Sequence, residues 1–482
     1  MHSPAQPAIR PNLVLGICCL SLLVVGMDVT IVNVALPAIR RDFHATVSQL
    51  QWLMDAYTLV VASFLMLAGS TADRLGRRRV FQTGMGLFTL GSLLCSLAPG
   101  IGSLIAFRAL QGIGASMLNP VAMSIITNTF HEPKARARAI GVWGAMAGLA
   151  FAVGPLLGGA LTEFVGWRSI FWINLPIGIA AMVLAARFVP ESKAAKSRPV
   201  DPVGQILVIV ALATLTYGII EGPHTGWTSA SIEGSFVVSL VAMVSLVFYE
   251  RRRTDPLLDL RFFRSVSFSS ATVIAVCAFS AFAAFLLLNA LYLQQTRGFS
   301  PFVSGLCTLP LALMTILCAP ISGRMVGAFG TRPSLLLAGL ATLISSLLLT
   351  RLASDTPISM LMLIYIIYGA GFALVNIPIT HTAISGMPKS QAGVAAAIAS
   401  TSRQVGAALG VAVAGAIIGI RQAHGLDFAR ATHPVWWIMA ACGATISSLG
   451  WASNTPWAKH TAHRVAHLLT DHAPAPPAGE KG

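Results

Sequence analysis

The chain has 482 residues, of which 55% are hydrophobic and only 10% are charged. Soluble domains use charged residues for about a quarter of the chain, so the composition excludes an ordinary soluble protein. The formal net charge is +15, with 32 lysines and arginines against 17 acids. A positive charge of this size is compatible with a nucleic-acid-binding surface. Whether it indicates one depends on where the basic residues lie along the chain.

Apolar segments long enough to cross a bilayer recur along the whole chain. A membrane helix needs about 20 mainly apolar residues, and we identify fourteen such segments, from 13–37 to 434–453. Strands of membrane β-barrels are only about 10 residues long and alternate apolar with polar positions, whereas these segments are apolar on all sides. The sequence therefore predicts an all-α polytopic membrane protein.

The basic residues are distributed unevenly across the predicted membrane. With a cytoplasmic N-terminus, 23 of the 32 fall on the cytoplasmic side, seven on the outside, and two, Arg108 and Arg403, within spans. An excess of lysine and arginine in cytoplasmic loops is typical of membrane proteins. It explains the net charge without nucleic acid, and it predicts that both termini are cytoplasmic.

Two charged stretches, 190–202 and 250–264, divide the run of helices. They predict an N-terminal six-helix bundle (1–190), a linker with two accessory membrane helices (191–260), a C-terminal six-helix bundle (261–455) and a cytoplasmic tail that we expect to be disordered (456–482). The predicted arrangement is therefore fourteen transmembrane helices as 6+2+6.

A charged turn between the second and third helices recurs in weakened form. Residues 73–79 carry five charges, and the glycine frame around them returns in the second bundle: Gly69, Asp73, Gly76 and Arg78 correspond to Gly323, Gly327, Gly330 and Arg332. The acid is lost in the second copy. Parallel six-helix repeats around a central cavity are one way to build an alternating-access transporter.

Six motifs in this order resemble the fourteen-span drug:proton antiporter branch of the major facilitator superfamily. They are Asp28–Pro37, Gly69–Arg79, Arg108–Ala115, Gly154–Gly159, Trp167–Pro176 and Tyr292–Pro310. The resemblance covers residues 13–453. It implies a major facilitator fold and a monomer in the bacterial cytoplasmic membrane that exports hydrophobic drugs, antibiotics or toxic metabolites in exchange for protons.

Asp28 and Asp55 are the acids that we place within spans. Charged residues inside a membrane cost about 3 kcal/mol on insertion scales and often mark relays. Helical rise places Asp28, Asp55 and Arg108 at similar depth, so the three could share one layer. Dehydration favours a protonated carboxyl group and a nearby arginine favours the ionised one, so we interpret Asp28 or Asp55 as the proton carrier and Arg108 as its modulator. A static ion pair, or attraction of a cationic substrate, remains an alternative.

The resemblance implies roles for two further groups. The turn residues Gly69, Asp73, Arg74, Gly76, Arg77 and Arg78 would act as a conformational latch, whereas the simpler interpretation is a topology signal alone. Small residues let membrane helices approach closely, and the fifth helix would use Gly148, Gly154, Pro155, Gly158 and Gly159 as an antiporter motif against the second bundle. Tight packing alone is the alternative there.

Polar or aromatic residues within other spans are candidates for a substrate cavity. They are Asn33, Gln111, Asn119, Trp143, Asn289, Tyr292, Asn376, Arg403 and Gln404. Such side chains also serve as bridges between helices. Arg403 differs from the rest, because we find no acid within the spans of its own half to pair with it.

No phosphate-binding Gly-rich loop or metal-ligand spacing of Cys and His is present in the sequence. We therefore expect no enzyme activity, no cofactor and no metal, with the transmembrane proton gradient as the energy source. The expected partners are a small hydrophobic substrate, protons and the lipid bilayer. Two alternatives stay open: a proton-coupled importer or dedicated exporter of one metabolite, and a non-transporting membrane sensor.

Overall fold

The described part of the chain is almost entirely helical. The computed structural model describes residues 10–193, 201–253, 259–387 and 392–470. The first half contains α1 (Pro11–Phe43), α2 (Val47–Leu75), α3 (Arg77–Ser96), α4 (Ile101–Thr129), α5 (Pro133–Phe164), α6 (Ser169–Trp172) and α7 (Asn174–Phe188). An accessory hairpin follows, made of α8 (Pro202–Thr225) and α9 (Ala230–Arg252). The second half contains α10 (Val266–Leu291), α11 (Pro301–Cys307), α12 (Leu309–Phe329), α13 (Thr331–Leu349), α14 (Ile358–Ile384), α15 (Ala392–Ala423) and α16 (Phe428–Ala452), and α17 (Pro456–Thr470) comes last.

Thirteen helical spans in the described residues are long and apolar enough to cross a membrane. In this set α6 joins α7 and α11 joins α12, each pair forming one span. The predicted all-α membrane class is therefore confirmed. Helix α3 falls outside the set, because its 20 residues begin with three consecutive arginines.

The packing of the first half recurs in the second. In the first half α1 packs along α5, α2 along α4, and α3 along α4 and α7. In the second half α10 packs along α15, α12 along α14, and α13 along α14 and α16. The turn repeats as well, with φ of +116° at Gly76 and +77° at Gly330. Left-handed backbone of this kind favours glycine, which explains why both copies of the turn have glycine at this position.

The accessory hairpin covers a boundary between the two halves. Helix α8 lies against α2 of the first half and α15 of the second, and Leu212 packs with Leu59 of α2 and Ala408 of α15. Near the end of α8, Glu221 accepts a hydrogen bond of 2.7 Å from Trp52 Nε1 of α2. A hydrogen bond therefore attaches the hairpin to the first half, while the apolar face of α8 contacts both halves.

Residues 456–470 form a packed helix, which differs from the expected disorder of the tail. Ala458, Ala462 and Val465 of α17 are buried, and Thr461 Oγ1 accepts a hydrogen bond of 3.1 Å from Val266 N at the start of α10. The expectation of disorder is thus wrong for this segment, because apolar residues four and three positions apart form one helical face. The rest of the tail, 471–482, lies outside the described residues.

The two halves are hydrogen-bonded to each other toward one end of the bundle. We call this end, where α1 finishes, the Phe43 end, and the opposite end, with the α2–α3 turn, the Gly76 end. In the described residues the bonds between the halves join Gln294 Nε2 to Val34 O (2.7 Å), Gln51 Nε2 to Ala412 O (2.8 Å), Phe302 N to Glu163 Oε2 (2.9 Å) and Arg40 Nη1 to Gln295 Oε1 (3.2 Å). The structure is therefore closed at the Phe43 end.

Small residues of α5 allow close contact on two sides. Gly154 and Gly158 face α1, where a Cβ added at Gly158 would lie 2.7 Å from Ile31 Cγ1 and one at Gly154 would overlap Thr30. Neither residue has room for a methyl group. This part of the motif therefore holds α5 against its own half.

The other side of α5 faces the second half. Gly148 lies near Ile316 of α12, and a Cβ at Gly305 of α11 would lie 2.5 Å from Pro155 O. A Cβ at Gly159 would lie 2.5 Å from Pro301 O. Backbone atoms meet directly here, so the Phe43 end closes only because both helices carry glycine.

We expect Gly159→Ala to weaken closure of the Phe43 end, because the new methyl group meets a carbonyl oxygen that cannot rotate away. Overpacking of this kind costs about 1 to 3 kcal/mol. A cysteine introduced at the buried Ser304 of α11 should then react faster with a maleimide than the same cysteine in the protein that keeps Gly159. Labelling of each protein without Ser304→Cys is subtracted as background. Gly141→Ala is the matched control, since its Cβ would meet no atom within 4 Å. Equal labelling of the Gly159→Ala and Gly141→Ala proteins would contradict this role of Gly159.

Candidate functional site

A buried ion pair joins α1 to α4. Arg108 Nη1 lies 2.5 Å from Asp28 Oδ2, and both side chains are 0% exposed. Gln111, one turn after Arg108, donates from Nε2 to Asp28 Oδ1 (2.9 Å) and accepts from Arg108 Nη1 (2.7 Å). Residues three positions apart on a helix share a face, so α4 presents both side chains to the same carboxylate.

Two further helices contribute to the same network. Ser92 Oγ of α3 accepts hydrogen bonds from Gln111 Nε2 (2.7 Å) and from Asn174 Nδ2 of α7 (3.0 Å). Asn174 Nδ2 also lies 3.2 Å from Asp28 Oδ1. Sequence reasoning did not select Ser92 or Asn174 as site residues, since a single polar residue in an apolar segment gives no sign of its partner. Four helices of the first half therefore meet at Asp28.

Tyr57 of α2 covers the other side of Arg108. The guanidinium carbon lies 4.2 Å from the centre of the Tyr57 ring, a cation–π contact. Gly112 makes room for it, since a Cβ there would lie 2.8 Å from Tyr57 O. Among the described residues, Nε and Nη2 of Arg108 have no hydrogen-bond acceptor. One carboxylate and one ring thus balance the buried cation.

Asp55 is equally buried but lies elsewhere. It is 0% exposed, and neither carboxyl oxygen has a hydrogen-bond partner in the described part of the chain. One helical turn before it, Gln51 bonds to α15, and one turn after it, Leu59 packs with residues of α8 and α15. Asp55 is therefore on the face of α2 that meets the second half.

The structure brings together only two of the three charges that were predicted to share one layer. Tyr57, which contacts Arg108, follows Asp55 by two residues, about 200° around the helix. Asp55 and Tyr57 therefore point to opposite sides of α2. Asp28 and Arg108 form one site inside the first half, and Asp55 occupies a second one at the α2–α15 contact.

The charged turn after α2 is bound to the segment that follows α7. Asp73 Oδ1 lies 3.0 Å from Arg77 Nη2, and Arg77 N donates to Ser192 O (2.9 Å). Arg78 N donates to Glu191 Oε1 (3.1 Å). Sequence reasoning missed Glu191, because it stands in a separate loop. These contacts lie within the first half, and the latch function of the turn stays a prediction.

Most of the predicted cavity residues have partners within the protein. Tyr292 Oη donates to Ala353 O (2.6 Å), Tyr365 donates to Asn289, Asn33 Nδ2 donates to Val29 O (2.8 Å) and Asn376 Nδ2 to Phe372 O (3.0 Å). By contrast, Trp143 Nε1 and Asn119 Oδ1 are buried without a partner in the described residues. Their roles toward a substrate stay predictions.

Comparison with known proteins gives a family and several named relatives. The model of the Major Facilitator Superfamily matches residues 18–411. The multidrug resistance protein Stp of Mycobacterium tuberculosis is 39% identical over 399 residues, 83% of this chain and 74% of that protein. The tetracenomycin C resistance and export protein of Streptomyces glaucescens is 34% identical over 422 residues, 87% of this chain and 78% of that protein. The methylenomycin A resistance protein of Streptomyces coelicolor is 34% identical over 397 residues, 81% of this chain and 82% of that protein.

These matches extend over both halves and agree with the all-helical architecture and its repeated packing. The chain belongs to the Major Facilitator Superfamily.

Proposed function

We propose that this protein exports hydrophobic drugs, antibiotics or toxic metabolites across the bacterial cytoplasmic membrane in exchange for protons, by alternating access. The relatives named for multidrug resistance or antibiotic export support the substrate class. The observation that supports proton coupling is Asp55, a buried carboxyl group at the contact between the two halves that has no hydrogen-bond partner among the described residues.

We propose that the protein has fourteen membrane spans arranged as 6+2+6, and that α3 is one of them. Helix α2 runs from the Phe43 end to the Gly76 end, and α3 returns along α4 and α7. Its 20 residues rise about 30 Å, the thickness of the hydrocarbon core. The three arginines at its start would then lie at the cytoplasmic surface, which agrees with the positive-inside rule.

In this orientation the Phe43 end faces outward and both termini are cytoplasmic. The hydrogen bonds between the halves then close the external side. Opening that side requires α2 to separate from α15, which would expose Asp55 to external water. The site is therefore placed to exchange protons with the outside once per transport cycle.

Closure of α2 on α15 requires a neutral Asp55. An ionised carboxylate without a partner in a dry contact is strongly unfavourable, and protonation removes its charge. Proton uptake from outside would thus permit closure, and loss of the same proton to the cytoplasm while the opposite end is open would complete the exchange. The proton gradient would then drive the conformational change without a cofactor. Asp28 is different, because Arg108 compensates its charge within hydrogen-bonding distance.

In inside-out vesicles with an acidic lumen, we expect the protein to accumulate tetracenomycin C or methylenomycin A in the lumen. A protonophore should abolish accumulation. In the Asp55→Asn protein the proton gradient should drive no accumulation. Transport in the opposite direction would indicate an importer. If the wild type transports no compound of a wider antibiotic panel in either direction, the transporter proposal is wrong and the sensor alternative gains support.

We expect Asp28→Asn to destabilise the purified protein and Asp55→Asn to have little effect. Removing one partner of a buried ion pair leaves an uncompensated charge and costs about 3 to 5 kcal/mol, whereas asparagine closely replaces a neutral acid. Denaturant unfolding in detergent would measure the difference. The double variant Asp28→Asn/Arg108→Gln is the control, and it should recover stability because no charge remains. Equal destabilisation by the two single variants would show that the Asp55 carboxyl group makes a stabilising interaction that asparagine cannot replace, which would contradict its assignment as a neutral group without a partner.

A further inference from the structure

Arg403 lies deep in the second half. It follows Ala392 by eleven residues and precedes Ala423 by twenty in α15, about 16 Å and 30 Å from the two ends of the helix. Arg403 therefore lies within the apolar segment Val394–Ala423, which is long enough to cross a membrane. A cation at this depth costs about 3 kcal/mol, and the side chain is only partly shielded from open space.

The protein supplies only neutral partners to Arg403. Its Nη2 donates to Thr380 Oγ1 (2.5 Å) and to Asn376 O (3.1 Å). Its Nε is buried and has no acceptor among the described residues. None of the ion pairs in the described part of the chain includes Arg403.

The second half of the sequence offers no acid within its spans to pair with Arg403. Between residues 261 and 455 the acids are Asp355 and Asp427, and both lie in connections at the Phe43 end. Asp427 caps α16 through a hydrogen bond of 3.0 Å from Arg430 N. Within residues 261–455 the sequence therefore supplies no acid close to Arg403.

Close packing of α10 and α15 places an aromatic ring beside this cation. A Cβ at Gly406 would lie 2.5 Å from Val276 O, so the two helices touch through their backbones. Arg403 stands one turn before Gly406 and Phe279 one turn after Val276. The guanidinium carbon lies 5.8 Å from the centre of the Phe279 ring.

Phe279 belongs to an aromatic cluster that joins the two halves. Its ring centre lies 5.4 Å from that of Phe372, which stacks on Phe282 at 3.8 Å. Phe151 of α5 lies 5.4 Å from Phe282 and 6.0 Å from Phe372. Phe151 comes from the first half and the other three rings from the second, so any movement of one half against the other must rearrange this cluster.

We propose that Arg403 and the cluster of Phe151, Phe279, Phe282 and Phe372 form part of the substrate site, and that this site selects aromatic molecules carrying an acidic group. The inference rests on the proposed export function and names its substrate class. A carboxylate, phenolate or enolate offsets the charge of Arg403 through charge-assisted hydrogen bonds, while the apolar rings bind the rest of the molecule. Apolar pockets with a few placed polar groups are typical of ligand sites.

The same charges disfavour cationic substrates. Asp28 is held by Arg108, and Asp55 lies at the α2–α15 contact. Neither carboxyl group is therefore available at the aromatic cluster to neutralise a bound cation. Arg403 repels a cation there, so the net preference is for anions.

Equilibrium binding of two dyes with the same ring system tests this assignment. Fluorescein is an anion and rhodamine 123 a cation, and fluorescence anisotropy would give the affinity of the purified protein for each. We expect the wild type to favour fluorescein and Arg403→Gln to bind it at least tenfold more weakly. Rhodamine 123 affinity should rise in Arg403→Gln, because the repelling charge is gone, and thermal stability should not fall. Arg403→Lys should retain part of the anion preference. Phe279→Leu should weaken both dyes.

Arg351→Gln is the matched control, because it removes a positive charge from an exposed site of the same half. It should bind both dyes as the wild type does. Equal fluorescein affinity of the wild type and Arg403→Gln, including no measurable binding by either, would overturn the assignment. Binding needs no proton gradient, so arginine-dependent binding without gradient-driven transport would refute the export proposal and leave the site standing.

Discussion

The first half is organised around the buried contact between Asp28 and Arg108. A fully buried charge pair is favourable only when its remaining hydrogen-bonding groups are largely satisfied. Gln111 and Asn174 donate to the carboxylate, and Ser92 accepts a hydrogen bond from each of them. Because these side chains come from α1, α3, α4 and α7, the relative position of four helices depends on one carboxyl group. The second half repeats the helix packing, but its described residues contain no such buried ion pair. Its interior holds the uncompensated Arg403, so a duplicated architecture carries two different charge arrangements.

Helix α2 connects these arrangements because its two faces meet different partners. Tyr57 lies on Arg108, and Asp55 lies at the contact with α15. The hairpin of α8 and α9 holds the same helix through Glu221 and Trp52. Small rigid movements of α2 therefore affect the contact between the halves without breaking the ion pair. In this account Asp28 maintains structure and Asp55 responds to protons.

Features set by local sequence were predictable. The long apolar segments predicted the all-helical class. The matching glycine patterns around Gly76 and Gly330 predicted the repeated turn, since left-handed backbone favours glycine. Depth along a helix follows from the rise per residue, so Asp28 and Arg108 could be placed together. Rotation about the helix axis and the choice of neighbour depend on tertiary packing, and for that reason the separation of Asp55 from Arg108 was not foreseen. Glu191 and α17 were missed for a related reason: their partners are distant in sequence.

The central claim is that protonation of Asp55 closes the Phe43 end. It is tested most directly by the distance between spin labels at Arg41 and Arg351, exposed residues of the two halves at that end, measured as a function of pH with the seven native cysteines replaced. The account predicts that the wild type shifts to the short distance on acidification, that Asp55→Asn gives the short distance at every pH, and that Arg403→Gln still responds as the wild type does. An Asp55→Asn protein with the pH response of the wild type would contradict it.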